Sequence, residues 1–283
     1  MWNPRTAIGV DLATGRRYPW VGAFLGMLVV AGMFFLSFYG NQIGWKARLP
    51  VYFSGISLTN GQFITERVQG SGDMVSEPRE VQGFDRVRFD AFGEMEIVQG
   101  EQEGLVIEAQ PNLLTYITTE VRGDQLVIGI KPHVSVTPLP TIRYQLSVKD
   151  LRDLEVSGAG LVRMGGLNTE RLTINSSGAA GISISGLQAS ALDANLSGTG
   201  RITVGGGVDT LQVNVSGAGG FDGAELSSKD ANIELTGIGG ATVWVTDSLD
   251  ALVSGVGSIQ YYGNPSITKQ VSGIGNVKSR GDK

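Results

Sequence analysis

The chain has 283 residues, with 22 Lys and Arg against 27 Asp and Glu, a formal charge of −5, one His and no Cys. The missing Cys excludes disulfides, thiolate metal sites and a lipidated Cys anchor, and the acidic balance argues against nucleic acid as a partner. Glycine, at 42 residues, is about twice its usual ~7% without a collagen period, which points to tight turns between many short strands.

The first 50 residues are basic, with Arg5, Arg16, Arg17, Lys46 and Arg48 against Asp11 alone, while the remaining 233 carry 17 basic and 26 acidic groups. Tyr18 to Tyr39 is a run of 22 residues without a charge. As a helix it would be ~33 Å long against ~30 Å of hydrocarbon, with Tyr18 and Trp20 at one end and Tyr39 and Trp45 at the other as interfacial belts. The run is longer than the ~7–15 residues of a cleaved signal and lacks an A-x-A-like site. The expectation is therefore one uncleaved transmembrane α-helix over 18–40, in contact with membrane lipid. Three basic residues before the span against two after it predict a cytoplasmic tail at 1–17 and a body outside the cytoplasmic membrane. Gly22 and Gly26 form a G-x-x-x-G pattern, a candidate helix-pairing face through which the chain would form a homo-oligomer.

Residues 41–69 are expected to be a juxtamembrane linker, in which Leu49–Leu58 is apolar enough to lie against the membrane or a partner. Residues 70–150 are expected to form strands and hairpins that cap the N-terminal end of a repetitive segment at 151–283. Within them Phe89–Gly100 copies the later repeat weakly, with Asp90 standing where the repeat has Ser.

From 151 to 283 the repeat takes over. Ser-Gly or Thr-Gly recurs at Ser157, Ser177, Ser197, Ser216, Thr236, Ser254 and Ser272, at spacings of 20, 20, 19, 20, 18 and 18 residues. Counting from each Ser or Thr, positions −1, −3 and −5 are mostly apolar and −2 mostly polar, which is strand alternation. A second apolar pair follows each Gly-x-Gly corner, as in Ile182/Ile184 and Ile202/Val204. One such unit cannot bury its apolar face alone, whereas stacked units build a continuous core. The expected fold is all-β, a parallel β-solenoid of about seven rungs of 18–20 residues, each made of two short strands, a glycine corner and a second turn. The Ser/Thr column is expected to be structural, its hydroxyls satisfying backbone groups at the corner.

GSGDMVSEPREVQGFDRVRF at 70–89, the following GEMEIVQGE, the NLL of Asn112–Leu114, EVRGDQLVI and the SGxG units together resemble the head GIN domain family of auto-transporter adhesins, over about residues 70–283. The resemblance implies a right-handed β-helix displayed outside the cytoplasmic membrane, with no catalytic residue and no cofactor to carry over. No translocator barrel is expected beyond Lys283, and the expected anchor is a helix, so the auto-transporter part of the description is not expected to apply.

Catalytic chemistry finds few candidates. Glycoside hydrolysis needs two carboxylates across a cleft, but Asp193 and Asp250 share a column three rungs apart, and Asp222 and Glu225 read as a solvated turn. His133 sits in a loop beside Pro132, and Gly205–Asp209 matches half of a calcium-binding nonapeptide only once. Asn175, Asn195 and Asn214 occupy the outward −2 position and form either a hydrogen-bonded column or a flat polar binding strip. The expected function is a non-catalytic, membrane-anchored binding, adhesion or scaffolding module with an envelope protein or glycan as partner. A carbohydrate-active β-helix enzyme and a plain surface spacer stand as alternatives.

Overall fold

The computed structural model describes residues 58–59, 62–63, 66–137 and 141–283. The tail 1–17, the span 18–40 and its Gly22 and Gly26 lie outside them. Among the described residues no helix is long and apolar enough to cross a membrane.

The apolar alternation builds the fold. Leu172, Ile174, Leu192, Leu196, Leu211, Val213, Val215, Ile233, Leu235 and Val253 are each 2% exposed or less. Every one of them lies at −1, −3 or −5 from a corner, so a single face of each strand points inward. Equivalent positions stack in register through parallel pairing: Leu172 beside Leu192, then Leu211, Ala231 and Leu249. The result is an all-β coil whose buried side chains form one continuous core from Val68 to Ile259.

The corners are closed by backbone. Ser197 N and Gly198 N both donate to the Ser176 carbonyl of the preceding turn, at 2.9 and 3.0 Å, and the same pair of bonds recurs from Ser177 to Ser272. A Cβ at Gly198 would lie 2.1 Å from the Gly178 oxygen, so glycine there is a condition of close approach between turns. The seven Ser-Gly or Thr-Gly corners, Ser157 to Ser272, bound six full turns of the repeat. The expected seven rungs are thus about six among the described residues, with the strand Ile274–Ser279 as one further side after Ser272.

The turns between Ser177 and Thr236 have three sides where two were expected, whereas the turn from Ser254 to Ser272 has the expected two, Val256–Tyr262 and Ser266–Val271. In the strand Ala179–Leu196, the stretches 179–184, 187–189 and 191–196 all pair with the next turn. The middle side is a short strand, not a loop, because Leu187, Val208 and Leu226 each put one apolar side chain into the core there. Glycines fill the rest by backbone pairing alone, as in Gln188 beside Gly207.

The N-terminal part continues the same sheets. Phe92–Gln99 lies between Ala159–Met164 and Arg143–Val148, parallel to both. Gly104–Ala109 and then Val75–Arg79 add antiparallel strands beyond it. Pro78 lies in that outermost strand, where a residue without an N–H discourages further pairing. On the corner-entry side, Arg86–Phe89 pairs in parallel with Asp153–Val156 and with Gln125–Ile130, and Ile117–Arg122 closes antiparallel. Asp90 occupies one further corner, ahead of the repeat. It accepts a hydrogen bond from the Ser157 hydroxyl, and Arg88 Nε forks onto its carboxylate at 2.9 and 2.8 Å. One turn of helix, Pro111–Leu114, buries Leu113 and Leu114.

Candidate binding surface

The strands that lead into the corners from Ser157 to Thr236 turn two polar columns outward. The −2 column runs in register through Glu155, Asn175, Asn195, Asn214 and Glu234. Asn195 Nδ2 donates to Asn175 Oδ1 at 3.1 Å, and Asn214 Nδ2 donates to Asn195 Oδ1 at 2.9 Å. The three asparagines are half-buried. The ladder uses one N–H and one oxygen lone pair of Asn195, and an amide carries a second of each. The strip is therefore ordered by its own bonds and retains donors and acceptors to offer outward.

The −4 column runs beside it through Arg86, Asp153, Thr173, Asp193, Gln212, Asn232 and Asp250. Toward the N-terminal end it enters an open groove of about 440 Å³ lined by Asp85, Arg86, Asp124, Arg152, Asp153, Glu170, Arg171 and Thr173. Arg152 lies 3.4 Å from Asp85 and 3.0 Å from Asp150, Arg86 lies 3.7 Å from Asp124, and Arg171 reaches Asp193 at 2.8 Å. Arg152 is held above the ordinary guanidinium value, chiefly by its hydrogen bond to Asp150. Burial raises the Asp153 carboxyl, and Arg86 opposes that shift in part. Groove and ladder form one face of alternating charge and amide, suited to hydroxyl-rich or polar ligands bound by many weak hydrogen bonds.

The remaining candidates are scattered. Ser177, Ser197, Ser216, Thr236, Ser254 and Ser272 form an exposed column along the corner. Asp193 and Asp250 lie three turns apart in the −4 column. Asp222 accepts from Ala224 N at 3.3 Å within its own turn, and Glu225 pairs with Lys283 at 2.5 Å. His133 has φ of 65° in a loop, and its carbonyl accepts from Glu66 N at 3.2 Å. Gly206 sits 2.0 Å, by its would-be Cβ, from the Leu187 oxygen, and Asp209 pairs with Lys229 at 2.7 Å. Among the described residues no group of three or more His, Asp or Glu could hold a metal ion. Sequence reasoning missed the groove. Its signal was the adjacent opposite charges just before a corner strand, Arg152-Asp153 and Glu170-Arg171.

An all-β coil of near-identical turns with ordered polar columns on one face defines a solenoid repeat protein. The chain belongs to the family described as "Putative auto-transporter adhesin, head GIN domain", which matches residues 83–265. Its fold is similar to the crystal structure of a "putative adhesin" from Bacteroides fragilis, at 25% identity and a TM-score of 0.73, covering 75% of this chain and 99% of that one. A "putative adhesin" from Parabacteroides merdae (22% identity, TM-score 0.62, 75% and 98% covered) and a "Putative lipid binding protein" from Parabacteroides distasonis (24%, 0.62, 75% and 99%) share the fold. No curated protein matches the sequence.

Proposed function

We propose that this protein is a non-catalytic binding module of the cell envelope. A single helix over 18–40 anchors it, N-terminus inside, and holds a right-handed coil outside the cytoplasmic membrane. There it binds an envelope protein or glycan through the face formed by Asn175, Asn195, Asn214 and the groove at Asp153 and Arg171. The observation that carries this reading is the amide ladder, a flat strip already ordered by its own hydrogen bonds, so that binding costs little side-chain entropy. The relatives described as adhesins support a binding role.

The test is gentle extraction of the tagged full-length protein from its own membrane, followed by native mass and probing with envelope glycans. The expected result is a companion protein or glycan retained by the wild type and lost from an Asn195→Arg variant with unchanged circular dichroism. Retention of neither by the wild type, or equal retention by the variant, overturns the reading.

A further inference from the structure

The spacing between corners falls from 20 residues (Ser216 to Thr236) to 18 (Thr236 to Ser254, Ser254 to Ser272). The longer turn cannot match the shorter one residue for residue. Its register breaks between Gly223, which pairs with Val243, and Ser227, which pairs with Trp244, leaving 224–226 without a partner in the next turn. The bulge sends Glu225 outward with its side chain 80% exposed. Next to it, Trp244 and Tyr262 lie in register on adjacent turns, each eight residues past its corner. Both are half-buried.

These groups surround an ammonium. Lys283 Nζ lies 5.3 Å from the Trp244 ring centre and 5.6 Å from that of Tyr262. It pairs with Glu225 Oε1 at 2.5 Å and donates to the Ala224 carbonyl. Two aromatic faces, a carboxylate and a carbonyl are a complete set of partners for an alkylammonium: two N–H bonds to oxygen, with the remaining charge over the π faces. The receptor side is built into the coil, whereas its occupant lies beyond the last strand, on a tail held by Arg280 N to the Tyr261 carbonyl and by Gly263 N to the Gly281 carbonyl.

We propose that Trp244, Tyr262, Glu225 and the Ala224 carbonyl form a binding site for primary ammonium groups of other molecules, which Lys283 occupies in cis. The two oxygen acceptors require N–H donors, so a primary ammonium binds better than a quaternary one. A tethered competitor acts at an effective concentration of order millimolar. Lys283 therefore screens out sparse amines and yields to dense ones, whether lysine side chains of a protein or ethanolamine-type headgroups. The proposal rests on this cluster and is independent of the amide ladder.

The experiment uses the full chain in detergent with 15N-labelled tryptophan, of which there are four, the Trp244 indole signal being assigned by its loss in Trp244→Phe. Lys283→Gln should move that signal. Titrating this variant with Nα-acetyl-lysine methylamide should return it toward its wild-type position saturably, at least tenfold more tightly than any response of the wild type. Ethanolamine in place of the lysine amide distinguishes the two sources, and choline should respond more weakly than either. Glu225→Gln added to Lys283→Gln should abolish saturation. An unmoved Trp244 signal in Lys283→Gln, no saturable response to either primary amine, or a response indifferent to Glu225→Gln overturns the site.

Discussion

A methyl group at Gly198 would meet the Gly178 oxygen at 2.1 Å and the Ser177 carbonyl at 2.5–2.6 Å, all of it backbone of the preceding turn. The turns can make room only by loosening the bonds from Ser197 N and Gly198 N to the Ser176 carbonyl. Overpacking plus two weakened hydrogen bonds should make Gly198→Ala destabilising by about 2–4 kcal/mol, seen as a lower urea midpoint at unchanged slope. Gly165→Ala, where nothing lies within 4 Å, is the control and should stay within about 0.5 kcal/mol. Asp153 gives a pH signature at the same scale. Burial raises its carboxyl in the folded state, so the native protein binds that proton more tightly than the unfolded chain does. Stability from this group is then present at low pH and is lost as pH rises from the ordinary carboxylate range through the raised value. Asp153→Asn should match the wild type near pH 4 and exceed its melting temperature near pH 7. Equal melting temperatures at both pH values would remove burial as the cause.

At the scale of the strands, each turn touches only its neighbours, so stability should follow the number of turns. Deleting 198–216, one full 19-residue period, joins Ser197 to Gly217 and keeps corner, alternation and register. The shortened chain should fold cooperatively with a smaller urea slope, since about one turn's surface is missing. Deleting 198–207 alone leaves a corner without its turn and should abolish the cooperative transition. The same locality explains what was legible in the sequence. Leu172, Leu192 and Leu211 announce their shared column because their spacing repeats. The middle side does not announce itself, since Gly206 and Gly207 pair there through backbone that carries no side-chain pattern. Asp90 and Ser157 share a corner across 67 residues, so the first turn has no period to detect. The groove was hidden for the same reason: Asp85, Arg86 and Asp124 reach Asp153 only through that non-repetitive part. The asparagine strip, by contrast, was visible as three equal offsets, and the structure adds the amide bonds that join its members.

At the scale of the whole chain, charge is divided along the sequence: the first 50 residues carry five basic groups and one acidic, and the rest 17 basic and 26 acidic. A net-negative body is disfavoured close to an anionic leaflet, and Arg5, Arg16 and Arg17 on the N-terminal side of the uncharged run favour retention of that side in the cytoplasm. Three basic residues precede the run against Lys46 and Arg48 after it, and labelling of introduced thiols reads the orientation directly. Because the chain has no Cys, an introduced thiol is its sole maleimide target, read on the protein purified after labelling. A Cys at Ser177, an exposed corner residue whose hydroxyl lies outside the core, should react with a membrane-impermeant maleimide in cells whose outer barrier has been opened but whose cytoplasmic membrane is intact. A Cys at Ala7 should react only after that membrane is lysed. The reverse pattern would place the coil in the cytoplasm and remove envelope proteins and glycans as its partners. Reaction at both positions before lysis would remove the membrane span itself.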